Sequence, residues 1–212
     1  MTRLHVFDMD GTLLPGTTAS LQIARVVGGE EWLHSLEEEF RLGRLDTVGF
    51  AAALHRGWRG LTPSDVTKSF RAAPKLDGIP RTVKAIRAAG DIAVVISMSP
   101  DFFVNQWLSY GFHVVAGSRF PPVPFVEPFD PGGILTFDDK PRIVAELRRE
   151  YGAESVVAYG DSQSDVPLFG VADVSVAVNA DRHVSGLATV AYRGDDLYAA
   201  YELALTRVSR AP

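Results

Sequence analysis

Two carboxylates stand two residues apart in Val6-Phe7-Asp8-Met9-Asp10-Gly11-Thr12, where a short apolar run gives way to a glycine turn. Side chains two apart on a strand point to one face. Because the strand ends here, Asp10 can be re-aimed while staying near Asp8. Such a pair can divide labour: one carboxylate serves as nucleophile or metal ligand while the other carries a proton. Alone the pattern says little, since Asp-Gly is a common turn former.

A second acidic cluster lies far downstream. The apolar run Ser155-Val156-Val157-Ala158-Tyr159 leads into Gly160-Asp161-Ser162-Gln163-Ser164-Asp165. Between the two clusters, Ile92-Ala93-Val94-Val95-Ile96 ends in Ser97-Met98-Ser99, and Asp138-Asp139-Lys140-Pro141 opens a helix that runs to Tyr151. Polar groups of different type thus collect at the carboxyl ends of apolar strands, where open α/β sheets bind their ligands. Ordinary roles exist for some of them. Ser99 is expected to cap a helix starting near Pro100, and Asp138 and Asp139 to introduce the helix after them. Lys140 taken alone reads as a surface lysine.

Asp8-Met9-Asp10-Gly11-Thr12, Ser97, Lys140, and Gly160-Asp161 with Asp165 occur in that order and span nearly the whole chain. In this the chain resembles the haloacid dehalogenase superfamily, specifically its phosphatase branch and the phosphoserine-phosphatase-like subgroup with a helical cap. The resemblance implies an Mg²⁺-dependent phosphoric monoester hydrolase working through an aspartyl-phosphate. Asp8 would be the nucleophile and Asp10 the general acid and base. Ser97 would bond a phosphoryl oxygen and Lys140 would neutralise charge. Asp8, Asp161 and the backbone carbonyl of Asp10 would hold the metal, with Asp165 a further ligand through water or a residue that positions Asp161 or Lys140. Hard oxygen ligands fit magnesium better than zinc.

The subgroup's pattern is incomplete here. Its usual linker glutamate, which binds the substrate ammonium, is replaced by Pro15-Gly16-Thr17-Thr18. The position of its cap arginine falls near Leu54, and its second motif reads Ser-Met-Ser-Pro. The expected substrate is therefore a small phosphate monoester lacking the amino-acid zwitterion. Phosphoserine, or a catalytically silent binding protein on the same fold, are the alternatives.

These groups need elements to position them. From Arg81 onward strand-like and helix-like runs alternate, the mark of a parallel sheet with crossover helices. Helices are expected over Pro80–Ala89, Asp101–Tyr110, Asp165–Phe169 and Asp196–Val208, with strands over His113–Ala116 and Val174–Val178. Residues from about Pro15 to Lys75 read instead as three or four consecutive helices, one opened by Thr62-Pro63-Ser64-Asp65. The expected fold is α/β: a Rossmann-like doubly wound parallel sheet core over 1–14 and 77–212, and a small α-helical cap domain over 15–76. Trp32, Phe40, Phe50, Trp58 and Phe70 are expected to fill the core of that cap. Phe120–Gly133, with five prolines and two glycines, reads as a loop or distorted hairpin.

Composition narrows the remaining classes. The 212 residues are 46% hydrophobic and 22% charged, ordinary for a globular chain. A formal net charge of −5 gives nucleic-acid binding no support. With no cysteine, disulfides and thiolate metal sites are excluded. No apolar run approaches the roughly 20 residues of a membrane span, and the N-terminus lacks a signal-peptide pattern. A cytoplasmic enzyme acting on a small phosphate ester is the expectation. The five histidines show no partner pattern, and each is expected to be structural or on the surface.

Overall fold

The computed structural model describes residues 2–208. Strand β1 (Arg3–Phe7) is buried almost along its whole length, as a strand covered on both faces must be. It pairs in parallel with β2 (Ile92–Pro100) on one side, Leu4 facing Ile92 and Phe7 facing Val95, and with β4 (Ser155–Gly160) on the other, Leu4 facing Val156 and Phe7 facing Tyr159. With β3 (Val114–Ser118), β5 (Val174–Val178) and β6 (Val190–Tyr192) the sheet runs β3-β2-β1-β4-β5-β6, all parallel. Chain order reverses between β1 and β4, so their carboxyl ends open the crevice typical of doubly wound sheets.

Helices cover both faces. The first four follow one another between β1 and β2: α1 (Ala19–Val27), α2 (Glu30–Arg41), α3 (Thr47–Gly57) and α4 (Pro63–Ala72). Local chemistry starts three of them. Thr18 accepts from the Leu21 amide, Asp46 accepts from Gly49, and Thr62 and Asp65 form a reciprocal capping box with Pro63 in the first turn. After α5 (Ile79–Ala88) the chain alternates: α6 (Asp101–Val104), α7 (Asp139–Glu150), α8 (Val166–Phe169), α9 (Arg182–Leu187) and α10 (Leu197–Val208).

The sheet divides the core. Leu4, Val6, Val94 and Ile96 face Val144 and Leu147 of α7 and Leu168 of α8. On the opposite face, Phe7, Val95 and Tyr159 meet Ile79 and Ile86 of α5 and Tyr201 of α10, and this cluster continues into Leu33, Leu54 and Phe70 of the four-helix segment. The continuity is aromatic. The Phe70 ring sits edge-on to Phe103 and Trp107, centroids 5.4 and 5.0 Å away. Edge-to-face pairs of this kind add about 0.5–1.5 kcal/mol beyond burial.

Several local expectations are corrected. β2 does not stop at Ile96: it continues to Pro100 through an irregularity in its pairing with β3. What was expected to be one helix over Asp101–Tyr110 is a turn of α6 followed by a 3₁₀ segment over Asn105–Tyr110. Short α9 and three-residue β6 are too brief to show a period in the sequence. Trp32 is not a core residue but is 39% exposed, while Trp58 and Phe70 are buried and Phe40 and Phe50 half-buried. The proline-rich stretch is a loop with one 3₁₀ turn at Pro131–Gly133.

Candidate active site

Asp8 leaves β1 directly over the crevice. Its amide donates to the Tyr159 carbonyl at 2.9 Å, extending the β1–β4 ladder by one residue and holding its side chain at the sheet edge. The Lys140 ammonium comes from the first turn of α7 and is 1% exposed. It donates to Asp8 Oδ1 at 2.7 Å and to Asp165 Oδ1 at 2.6 Å. The other oxygen of Asp165 accepts from the amides of Asp161 and Ser162 at 3.0 and 3.2 Å. Both carboxylate oxygens of Asp165 are therefore engaged, one on the lysine and one on the loop that carries Asp161. Asp161 in turn accepts from the Thr12 hydroxyl at 2.9 Å.

Asp10 faces another way. Its Oδ1 accepts from the Ala19 amide at 2.8 Å, at the positive N-terminal end of α1, and its Oδ2 accepts from the Ser99 hydroxyl at 2.5 Å. Ser99 is thus not a helix cap: Pro100 precedes α6 and makes no side-chain cap bond, because the extended β2 carries Ser99 towards Asp10 instead. Ser97 is buried, with its Oγ accepting from the Ser99 amide at 3.1 Å. Asp138 makes no cap bond, whereas Asp139 accepts from Thr136 and Arg142 at the outer start of α7.

Two glycines make the close approach possible. Gly11 has φ +84°, and a Cβ there would run into the Asp161 carboxylate; a Cβ on Gly160 would run into that of Asp165. The loops after β1 and β4 close together because these positions lack a side chain.

The charge count in this crevice is uneven. Four carboxylates surround one buried lysine. Burial pushes the Asp8 carboxyl well above its ordinary value, and neighbouring Asp165 adds to the rise while Lys140 opposes it. Burial, then Asp165, raises Asp161 to about 7. Burial also raises Asp10, against the hydrogen bonds from Ser99 and Ala19. Burial works against the charge on Lys140, but attraction to Asp8 and Asp165 wins and holds it fully protonated. Ligand oxygens of Asp8, Asp161 and Asp165 lie within 4.8 Å of one another. A set of hard, partly unneutralised oxygens is what a divalent cation requires. The side chain of Asp10 lies outside that group, its oxygens being taken by Ala19 and Ser99.

Two cavities share this floor. One contains Asp8, Asp10, Ser97, Lys140 and Asp161 and is walled by Thr17 and Thr18. The other, about 200 Å³, opens from Asp10 and Ser99 beneath α2 and α3, lined by Phe40, Phe50, Leu54, Met98, Phe120 and Ile134. Glu37 lines both. All six residues expected at the site thus meet in the crevice. Sequence reasoning missed Glu37, although a signal was present: Leu33, Glu37 and Phe40 fall on one stripe of α2, and an acid in an apolar stripe invites a question. It also assigned Phe40 and Phe50 to a helical core: Phe50 does pack against that core, and both side chains line the cavity. Arg41 and Arg44, in contrast, are tied to Glu38 and Glu39 on the outer surface.

A family model described as haloacid dehalogenase-like hydrolase matches residues 5–170. Phosphoserine phosphatase SerB2 of Mycobacterium tuberculosis is 26% identical over 196 residues, covering 84% of this chain and 44% of the relative. The chain therefore spans less than half the length of that curated relative. Among solved structures, a phospho-aspartyl intermediate analogue of phosphoserine phosphatase superposes with a TM-score of 0.77 at 22% identity, over 95% of this chain and 98% of that one. A HAD family hydrolase from Salmonella enterica subsp. enterica serovar Typhi gives 0.81 at 18% identity, over 93% and 70%. At such identities the structural likeness is one of fold.

Proposed function

The chain belongs to the haloacid dehalogenase-like hydrolase family, and from that premise we propose that it hydrolyses a small-molecule phosphate monoester through an aspartyl-phosphate on Asp8. The observation that carries the reading is the contrast between two neighbouring carboxylates. Asp8 is held by a lysine beside the metal-type oxygens, and Asp10 is held by a serine and a helix end. Environments that differ in this way let one group attack while the other carries a proton.

In the first half-reaction an Asp8 oxygen attacks phosphorus, and the bond from phosphorus to the ester oxygen breaks. The Asp10 carboxyl, whose hold on a proton burial raises against the bonds from Ser99 and Ala19, gives that proton to the departing alkoxide. In the second, Asp10 takes a proton from water as that water attacks phosphorus, and the bond to Asp8 breaks to release inorganic phosphate. Lys140 offsets negative charge on Asp8 throughout, and the Ser97 hydroxyl is the group to bond an equatorial phosphoryl oxygen. Asp8 and Asp161 would hold Mg²⁺, with the Asp10 carbonyl, while Asp165 orients Lys140 and the Asp161 loop. Bound there, the ion would neutralise charge that the lone lysine leaves over.

Residues 15–76 are, on this reading, a cap domain that covers the crevice and selects the leaving group. No acid lies in Pro15–Thr18, where Thr17 bonds Gln22 and Thr18 caps α1, and among the described residues no arginine lines either cavity. A substrate without the amino-acid zwitterion follows. The names of the relatives favour phosphoserine as the second reading. Among the described residues no helix is long and apolar enough to cross a membrane. The test is phosphate release from a panel of metabolite phosphates, phosphoserine included, with Mg²⁺ and with EDTA. Magnesium-dependent release is expected, with phosphoserine not the best substrate. No release from any ester, a generic aryl phosphate among them, would overturn the reading.

A further inference from the structure

We infer that the leaving alcohol accepted by this site has an apolar, ring-sized body and a cationic amine, and that Glu37 is the residue that selects the amine. The inference rests on the phosphatase reading and extends it to the other half of the substrate.

The alcohol departs towards the proton on Asp10, so its carbon skeleton must occupy the space beyond Asp10 and Ser99. That space is the 200 Å³ cavity. A dry cavity of about 150 Å³ accepts a benzene ring, so a ring with a short chain fits. Phe40, Phe50, Phe120 and Leu54 supply apolar walls, and burying a ring against them is favourable in proportion to the apolar area removed from water. A polyol would lose water to these walls and gain few hydrogen bonds.

The charge in the cavity has one sign. Glu37 projects from α2 into the junction between the apolar chamber and the phosphate crevice, and among the described residues no lysine or arginine lines the chamber. Its side chain is 34% exposed, and the His34 ring on the same helix, itself well exposed, lies 3.6 Å away. An ammonium entering the chamber would gain a carboxylate partner. A carboxylate entering it would meet Glu37 and nothing to offset its charge. This discriminates against phosphoserine and other amino-acid phosphates by repulsion as well as by a missing arginine.

The experiment uses three matched esters: 2-amino-3-phenylpropyl phosphate, 3-phenylpropyl phosphate, and the phosphate of 2-benzyl-3-hydroxypropanoate, with glycerol phosphate and an aryl phosphate as controls. The kcat/KM should fall in the order amine, neutral, carboxylate, with the amine about tenfold above the neutral ester, as a partly exposed charged hydrogen bond allows. In Glu37→Gln that amine-to-neutral ratio should collapse towards one, and the carboxylate ester should gain. Turnover of the aryl phosphate with a flat ranking, or with glycerol phosphate foremost, would overturn this inference and leave the phosphatase reading standing. An E37Q variant that lowered every ester equally would do the same, because Glu37 would then be structural. No turnover of any ester, the aryl phosphate included, would sink both.

Discussion

Strand β1 carries a buried polar cluster at each end, and the two are built on opposite principles. At the amino end, the Asp91 carboxylate accepts from the Arg3 amide at 2.9 Å and lies 3.6 Å from its guanidinium. Asp91 also lies 3.5 Å from His5 Nε2, and the other ring nitrogen of His5 meets the Tyr159 hydroxyl at 3.1 Å. There the charges balance: one carboxylate faces one guanidinium and a ring that burial keeps neutral. At the carboxyl end, a single lysine faces Asp8, Asp10, Asp161 and Asp165, and three of those carboxyls are driven towards protonation by burial, Asp8 and Asp161 by Asp165 as well. A cluster whose charges balance holds the strand in place. A cluster left with surplus charge waits for a ligand, and that surplus is the physical mark of function.

The comparison can be broken most directly by Asp8→Asn, which should lower turnover about 10⁴-fold or more while the melting temperature holds or rises, since one surplus charge is removed. His5→Gln at the other end should leave kcat as it is. A matching loss of kcat in the histidine variant would show that the two ends are not separate. Next in size is Lys140→Met, which strips Asp8 and Asp165 of their shared cation. Urea denaturation should show about 3–5 kcal/mol of lost stability near neutral pH and less at pH 5, because burial favours the protonated form of the orphaned Asp8. An equal loss at both pH values would mean that packing, not charge, had been removed.

A third test asks which end responds to a divalent cation. At about a hundredfold excess over its dissociation constant, Mg²⁺ should stabilise the protein by about 2.7 kcal/mol, read as a rise in melting temperature. Asp161→Asn should abolish the rise and His5→Gln should keep it.

The smallest effect lies at the amino end. Burial, against the pull of Asp91, lowers the folded-state pKa of His5 below the 6.5 of an unfolded histidine. The unfolded chain therefore binds the proton first. Stability is full above pH 6.5 and falls below it, by at most about 1.4 kcal/mol per pH unit. Burial opposes ionisation of Asp91 too, yet His5 and Arg3 win and hold it below the usual carboxylate value, which extends the loss to lower pH. His5→Gln should flatten the first part of that fall, and an unchanged slope between pH 6.5 and 5 would remove His5 from the account.

How far the sequence reveals all this depends on how local the cause is. Asp8, Ser97 and Asp161 were legible because each follows an apolar strand, and strand ends are local features. Lys140 was legible only through its place in the order of the family's motifs, since nothing within α7 marks its burial between two aspartates. Ser99 was misjudged because its role depends on β2 running four residues past the apolar run, a matter of pairing with β3. His5 carried no visible partner, as Asp91 and Tyr159 are brought to it by two different neighbouring strands. Glu37, Phe40 and Phe50 show the limit most clearly. The same helical stripe that packs a core can line a cavity, and only the arrangement of α2 and α3 beside the end of β2 distinguishes the two.

Gly11 shows how little separates this site from failure. Alanine there would alter no charge, remove no hydrogen-bonding group and disturb no strand. Its extra carbon would nevertheless collide with Asp161, on a backbone turned to φ +84°, and would part the two loops whose contact gathers the acids. A variant surveyed only for chemical groups would look harmless, and a sequence comparison would score it as conservative. The position should therefore tolerate change less well than several residues that carry chemistry, because what it contributes is clearance.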